Sequence, residues 1–250
     1  IRLKNAHLCV IIDLVSKIGE VYMKYEFLLF DADHTLFDFK TGEYFALKEA
    51  LEELSLPSTD HHIERYSEIN MKYWKMLERG EIDKKSLMLA RFVEFAREFG
   101  FEAKAQPLSD LYMSNLSRQA QLFDGALELI EKLSLKHRLF IITNGVKSTQ
   151  DGRFGISPIT KYFEKIFISE VVGAEKPSLE FFDAVMNGIE GFEKQKAIVI
   201  GDSLSSDIKG AINAGIDCIW YNPDSKEAPQ GWNITYTVRC FDEILNILDN

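Results

Sequence analysis

Cysteine is scarce in this chain. Cys9, Cys218 and Cys240 are all it carries in 250 residues. An odd count at such spacing suits neither a disulfide framework nor a zinc site. Cys218 lies in the apolar stretch 216–221 and reads as a small core residue rather than a reagent. Long hydrophobic runs are missing as well, since none approaches the ~20 apolar residues a spanning helix needs. Positive charge is outweighed: 29 Lys and Arg against 39 Asp and Glu give a formal net charge of -10 and a pI near 5.1. Such a surface repels polynucleotides and anionic membranes, so neither a nucleic acid polymer nor a membrane is expected as partner. A small phosphorylated metabolite can still bind if a metal ion and a few basic groups stand locally. Repeats and low-complexity tracts are also absent. What is left is a globular chain suited to a reducing, cytoplasmic setting. Its 46% hydrophobic content supports one sizeable core, or a core with a smaller second domain.

The first 22 residues read as an N-terminal extension. Arg2 and Lys4 ahead of the short apolar run 8–14 faintly resemble a signal peptide, but the run carries Asp13 and no small-residue cleavage site follows. Met23 stands just before the first strand of the core, so residues 1–22 are expected to lie outside the catalytic unit.

Residues 26–31 form a short, almost wholly apolar run, the pattern of a strand buried on both faces of a parallel sheet. The period then changes. Leu47, Ala50, Leu51 and Leu54 fall at helical spacing, as do Ile63, Tyr66, Asn70, Tyr73 and Leu77, and again Met88, Phe92, Phe95 and Phe99. Pro57, Gly80, Gly100 and Pro107 break this stretch into an inserted helical bundle. Beyond Phe123-Asp124-Gly125, strands at 139–143, 166–169, 197–201 and 216–221 alternate with helices at 126–133, 178–186 and 205–214. An edge strand at 235–238 and a helix at 241–248 close the pattern. The expected fold is α/β, a doubly wound parallel sheet over 23–40 and 118–250 with a helical domain inserted at 41–117.

The chemistry is concentrated where apolar strands end. Asp31-Ala32-Asp33-His34-Thr35 directly follows Phe27-Leu28-Leu29-Phe30, placing two carboxylates where open α/β sheets build their sites. Thr143-Asn144-Gly145 follows Ile141-Ile142; it is an anion nest or an ordinary turn. Glu175-Lys176-Pro177 precedes a helix, with Pro177 in its first turn and Lys176 either aimed into a site or solvated. Gly201-Asp202 with Asp207 follows Ala197-Ile198-Val199-Ile200; these carboxylates suit Mg²⁺ or serve as helix caps. Each segment alone has an ordinary explanation. Four in fixed order, each supplying a different part of phosphoryl transfer, are not an accident.

This ordered set resembles the haloacid dehalogenase (HAD) superfamily of hydrolases, and the insertion resembles its type 1 helical cap. Within it, Asp31 to Asp38, Asn144-Gly145-Val146, Glu175-Lys176-Pro177 and Gly201 through Gly210 are most similar to the bacterial pyrimidine 5′-nucleotidases and YjjG/YfnB-like phosphatases. The resemblance implies an Mg²⁺-dependent phosphomonoester hydrolase acting on nucleoside 5′-monophosphates through an aspartyl-phosphate. By it, Asp31 is the nucleophile and Asp33 the acid and base. Mg²⁺ falls to the Asp31 and Asp202 side chains and the Asp33 carbonyl, with Asp207 supporting through water or Lys176. Thr143 and Asn144 hold phosphate oxygens, and Lys176 neutralises charge on both nucleophile and phosphate. His34 departs from the small residue common there in the superfamily and is expected to face solvent or a hinge.

Substrate choice is expected from the cap, because the core motifs see only phosphate. Asn70, Trp74 and Arg91 are candidates to face the core, Trp74 stacking a base and Arg91 bonding its edge, against the alternative that Trp74 and Arg91 serve the cap's own interior. Hinges are expected near 37–42 and 117–125, and the chain is a monomer or homodimer. A sugar-phosphate phosphatase or phosphomutase shares every motif. A 2-haloacid dehalogenase would need neither Asp33 nor the Asp202/Asp207 pair. A chain started at Met23 is expected to keep full activity. Phosphatase assay and unfolding of that truncation test this, and loss of folding would contradict it.

Overall fold

The computed structural model describes residues 24–249. Residues 1–22, Cys9 and the alternative start at Met23 lie outside the described residues. Six parallel strands form one sheet: β1 (Phe27–Phe30), β2 (Arg138–Thr143), β3 (Lys165–Ile168), β4 (Ala197–Gly201), β5 (Asp217–Tyr221) and β6 (Tyr236–Val238), in the spatial order β3-β2-β1-β4-β5-β6. The central strand β1 pairs with β2 on one side and β4 on the other, so Phe30 lies opposite both Ile141 and Ile200.

The apolar runs alternate faces, as a strand period of two requires. Leu28, Phe30, Leu139, Ile141, Ile198 and Ile200 pack on one side of the sheet, with α5 (Ala126–Leu133) and α10 (Phe241–Leu248). Phe27, Leu29, Phe140, Ile142, Ala197 and Val199 pack on the other, with α8 (Leu179–Asn187) and α9 (Lys209–Ala214). Both faces are covered, which is why these strands contain hardly a polar residue. The chain winds outward from β1 to β3, then crosses back to β4. The order therefore reverses beside β1, and the carboxyl ends there open a crevice.

Four helices are inserted between β1 and β2: α1 (Phe39–Glu53), α2 (Asp60–Glu78), α3 (Lys84–Glu98) and α4 (Ala105–Leu116). They bury their own core of Leu47, Leu51, Tyr66, Phe92, Phe95 and Tyr112. Rings of Tyr66, Phe92 and Tyr112 meet with centroids 4.9–5.3 Å apart. Pro107, expected to break a helix, lies inside the first turn of α4. An N–H there has no intrahelical acceptor to lose. The two linkers joining this cap to the sheet pair with each other: Phe37 bridges Leu122, and Asp38 N–H donates to Gln121 O at 2.9 Å.

Three local differences from the sequence pattern matter for the site. Helix α6 (Lys147–Ile156) occupies a segment without an apolar stripe. Pro177 lies before, not within, the helix it precedes, since Ser178 caps α8 by accepting from Phe181 N–H. Between β4 and α9 the chain makes a π-helical turn, Leu204–Ile208, rather than one continuous helix. Past the short helix α7 (Ser169–Val172), the described cysteines Cys218 and Cys240 are both free. Among the described residues no helix is long and apolar enough to cross a membrane.

Helix α6 approaches the second linker very closely. A Cβ on Gly152 would stand 2.5 Å from the Ser117 carbonyl oxygen, a backbone atom that cannot step aside. Gly152→Ala is expected to destabilise the fold by about 1–3 kcal/mol, read as a lowered urea midpoint at unchanged m-value.

Candidate active site

The site grows out of the exit of β1. Asp31 N–H donates to Ile200 O at 2.8 Å, extending the β1–β4 ladder by one residue. The chain then turns tightly: Leu36 and Phe37 N–H both donate to Ala32 O at 2.9 Å, and His34 takes a left-handed φ of 65°. The turn leaves Asp31 buried, while the Asp33 side chain keeps 22% of its surface exposed. His34 is exposed and packs on Phe39, ring centroids 5.0 Å apart.

Lys176 joins the strand ends. Its ammonium donates to Asp31 Oδ1 at 2.6 Å, Asp207 Oδ1 at 2.7 Å and Ile142 O at 2.8 Å. The side chain is 1% exposed, and a buried cation survives only with its donors satisfied in this way. Burial by itself would lower the Lys176 ammonium; Asp207 and Asp31 outweigh it and hold it above the usual lysine range. Asp207 is fully committed, since its second oxygen accepts from Ser203 N–H at 3.1 Å. Gly201 makes room for it: a Cβ there would meet Asp207 Oδ2 at 2.4 Å. Thr35 Oγ1 accepts from Asp202 N–H at 3.1 Å and has one proton to offer Asp31 Oδ2 at 3.1 Å or Asp202 Oδ1 at 3.3 Å.

Carboxylate oxygens of Asp31, Asp202 and Asp207 lie within 4.8 Å of one another, with a single ammonium among them. Negative charge is in surplus. Desolvation, then the charges of Asp207 and Asp33, raise Asp31 to about 7 against the Lys176 contribution. Desolvation and the charges of Asp31 and Asp207 push Asp202 well above the carboxylate range. A hard, oxygen-only donor set with uncompensated charge fits Mg²⁺. Asp31, Asp202 and Asp207 all belong to this cluster, and Asp207 accepts from Lys176 and Ser203 as well.

At the end of β2, Thr143 Oγ1 accepts from Gly145 N–H at 3.0 Å, which closes a tight side-chain turn. The Asn144 side chain is tied reciprocally to the Lys176 backbone, donating to its carbonyl and accepting from its N–H, each at 2.9 Å. Helix α6 adds two residues that the sequence reading did not include. Gln150 Nε2 lies 2.9 Å from Asp33 Oδ2 and 3.0 Å from Thr143 Oγ1. Arg153, buried, ion-pairs with Asp33 Oδ1. The four turning residues buried on this helix, Thr149, Gln150, Arg153 and Phe154, are mostly polar and were its detectable signal.

The cap candidates separate. Arg91 is not at the crevice. It is 2% exposed inside the cap, donating to Asn70 Oδ1 at 2.5 Å and lying over the Phe92 and Tyr112 rings. Asn70 lies there too, donating to the buried Glu43 at 2.6 Å. The amide joins a buried carboxylate to a buried guanidinium, which explains why both residues stay inside. Trp74 is half-buried on α2, one turn before Glu78 on the same helix face. Glu78 accepts from Ser205 Oγ at 2.5 Å and from Ser203 Oγ at 3.4 Å, beside Asp202. Lys84, at the start of α3, donates to Asn144 O at 2.9 Å and Ser169 Oγ at 2.7 Å and pairs with Glu175 at 3.0 Å. The α2–α3 turn thus docks on the strand-end loops.

A doubly wound sheet with a helical cap and a lysine-bound aspartate at its reversal point defines a class of hydrolases. The family model of haloacid dehalogenase-like hydrolases matches residues 28–221, and the chain belongs to this family. It is 39% identical over 228 residues to the pyrimidine 5′-nucleotidase PynA of Streptococcus pneumoniae, covering 91% of this chain and 96% of that protein. It is 29% identical over 226 residues to the pyrimidine 5′-nucleotidase YjjG of Escherichia coli, covering 90% and 99%. The magnesium-bound crystal structure of the HAD-hydrolase YfnB of Bacillus subtilis, which reveals interdomain movement, superposes with a TM-score of 0.86 at 37% identity, over 91% of this chain and 100% of that one.

The raised carboxylates give a sign to the pH dependence. An acid whose pKa is higher folded than unfolded binds more protons in the native state, so stability falls as pH rises. In chelator, the urea midpoint is expected to decline between about pH 4 and pH 7, the window from the ordinary carboxylate to Asp31. Asp202→Asn, which removes one of the repelling charges, should flatten this decline.

Proposed function

We propose that the chain is an Mg²⁺-dependent 5′-nucleotidase that hydrolyses pyrimidine nucleoside 5′-monophosphates through an aspartyl-phosphate on Asp31. The observation that carries the reading is the convergence of three strand-end loops on Lys176, which sits between Asp31 and Asp207 while Asp33 stands two residues on. The nucleotidase names of PynA and YjjG support the substrate class.

In this reading a phosphate enters the crevice against Thr143, the Asn144 N–H and the Lys176 ammonium. An Asp31 carboxylate oxygen attacks phosphorus as the bond to the nucleoside oxygen breaks. Asp33 gives its proton to that departing oxygen, so an alcohol rather than an alkoxide leaves. Asp33 then takes a proton from water as its oxygen adds to phosphorus, which releases inorganic phosphate and restores the Asp31 carboxylate. Thr35 and Lys176 hold Asp31 in place from opposite oxygens, and Asp207 holds Lys176. Asp31, Asp202 and the Asp33 carbonyl would hold Mg²⁺, which when bound offsets the repulsion between carboxylate and phosphate. The segment 41–117 acts as the cap, moving about the paired linkers and excluding water when Glu78 and Lys84 dock. Trp74, one turn from Glu78, is the cap residue assigned to stack the base.

A phosphatase screen over nucleoside monophosphates and sugar phosphates tests the reading. Phosphate release is expected with Mg²⁺, fastest for pyrimidine nucleotides, and lost in chelator. Asp31→Asn should reduce it by at least ~10³-fold. Activity in Asp31→Asn would refute the nucleophile, and metal-independent cleavage would refute the assigned chemistry.

A further inference from the structure

We propose that Arg153 is a positioning residue for the acid–base carboxylate: it fixes the orientation of Asp33 and ties it to the linkers that carry the cap. The inference rests on the reading of Asp33 as acid and base.

A guanidinium buried as deeply as Arg153 needs partners that take up its charge and its donors. Its ion-pair partner is Asp33, through Oδ1. The remaining contacts are structural. Arg153 Nε donates to Gln119 O at 2.8 Å, in the second linker, and NH1 also reaches Gln150 Oε1 at 3.1 Å. The guanidinium lies 4.3 Å from the Phe37 ring centroid, in the first linker, and 5.7 Å from that of Phe39. Among the described hydrogen bonds none runs from Arg153 to Asp31, Thr143 or Lys176, so it is not one more cation for the phosphate cradle.

What it controls is direction. The Asp33 side chain is 22% exposed, and a short side chain on a turn can rotate away from the leaving group. Arg153 takes Oδ1 and Gln150 takes Oδ2, so both oxygens are held from one helix. The charged contact is the stronger of the two. It leaves Oδ2 as the oxygen that exchanges a proton with the leaving group, while Gln150 Nε2 keeps Thr143 Oγ1 as its second acceptor. Proton transfer in the transition state depends on this alignment, and small misplacement is costly. Because Arg153 touches both linkers, the alignment is set with the linkers in their paired state.

The test separates proton donation from everything else at the site. The ratio kcat/KM ends when the leaving group departs, so hydrolysis of the aspartyl-phosphate does not enter it. Two substrates are compared: the nucleoside monophosphate turned over fastest, whose alcohol needs a proton, and 2,4-dinitrophenyl phosphate, whose phenolate leaves without one. Arg153→Met should lower kcat/KM about 10²-fold for the nucleotide and less than ~10-fold for the aryl ester. Arg153→Lys, which keeps the charge, should show the same preference with a smaller loss, and it carries the test if the methionine variant does not fold. Equal losses on both substrates, or none, would overturn the inference. Asp33→Asn in the same assay distinguishes the causes. If it too shows no leaving-group preference, the acid–base reading itself fails; if it does and Arg153→Met does not, only the role of Arg153 fails.

Discussion

The three contacts of the Lys176 ammonium are the constraint on which the rest of this site depends. They bind a residue after β1, a carbonyl in β2 and a residue after β4 to one buried charge. The lysine backbone is itself held by Asn144, so the loop after β3 cannot drift from the loop after β2. Removing one member would leave a buried ion unmatched, a loss on the order of 3–5 kcal/mol. The apolar core explains why the strands pack. It does not explain why four separate loops share one geometry. The lysine does, and that arrangement is stable only because Asp207 is entirely enclosed and spends both oxygens on positioning.

The cap solves a different problem. It has its own aromatic core and its own buried polar chain from Glu43 through Asn70 to Arg91, so its interior does not depend on the sheet. Burial raises Glu43 above its ordinary value, with the Ser67 and Asn70 hydrogen bonds opposing. The polar groups that reach the strand-end loops lie at one turn, Glu78 at the end of α2 and Lys84 at the start of α3, while α4 meets α6 directly. Contacts between partly exposed polar groups are individually weak. Such contacts hold the cap more weakly than the buried charges hold its interior.

Much of the fold was legible because burial on both faces writes strands as uninterrupted apolar runs. Three of the four motif-bearing segments directly follow such a run, the Lys176 segment lies beyond edge strand β3 and α7, and their side chains do meet. Helix α6 was not legible, because its buried face is polar: Gln150 and Arg153 face Asp33 rather than the core, and two glycines dilute what periodicity remains. Burial there reports a site, not a core, and an apolar-period search is blind to it. Arg91 takes the second of its two readings, inside the cap. Placing a charged residue among Phe92, Phe95 and Met88 looks like exposure until a buried partner is known, and Glu43 lies far off in sequence. The docking pair Glu78 and Lys84 flanks the Gly80 break, where helix register is lost.

Charge and selection are therefore divided along the chain. In the proposed reading the core motif residues serve the phosphate, the metal ion or the lysine between them, and none would distinguish one alcohol from another. The strand ends can recognise a phosphate but not a nucleoside. Discrimination would then fall to groups outside the core motifs, and in the proposed reading it is assigned to Trp74 on the cap; at the linker His34 packs on Phe39. Trp74 is one helical turn from Glu78, so the residue proposed to meet a base and the residue that contacts Ser203 and Ser205 share one helix. If a leaving group rests on that helix face, the contacts of Glu78 and the linkers that hold Arg153 and Asp33 belong to the same inserted segment, so selection by the cap and alignment of the proposed proton donor would be linked through one element rather than two separate devices.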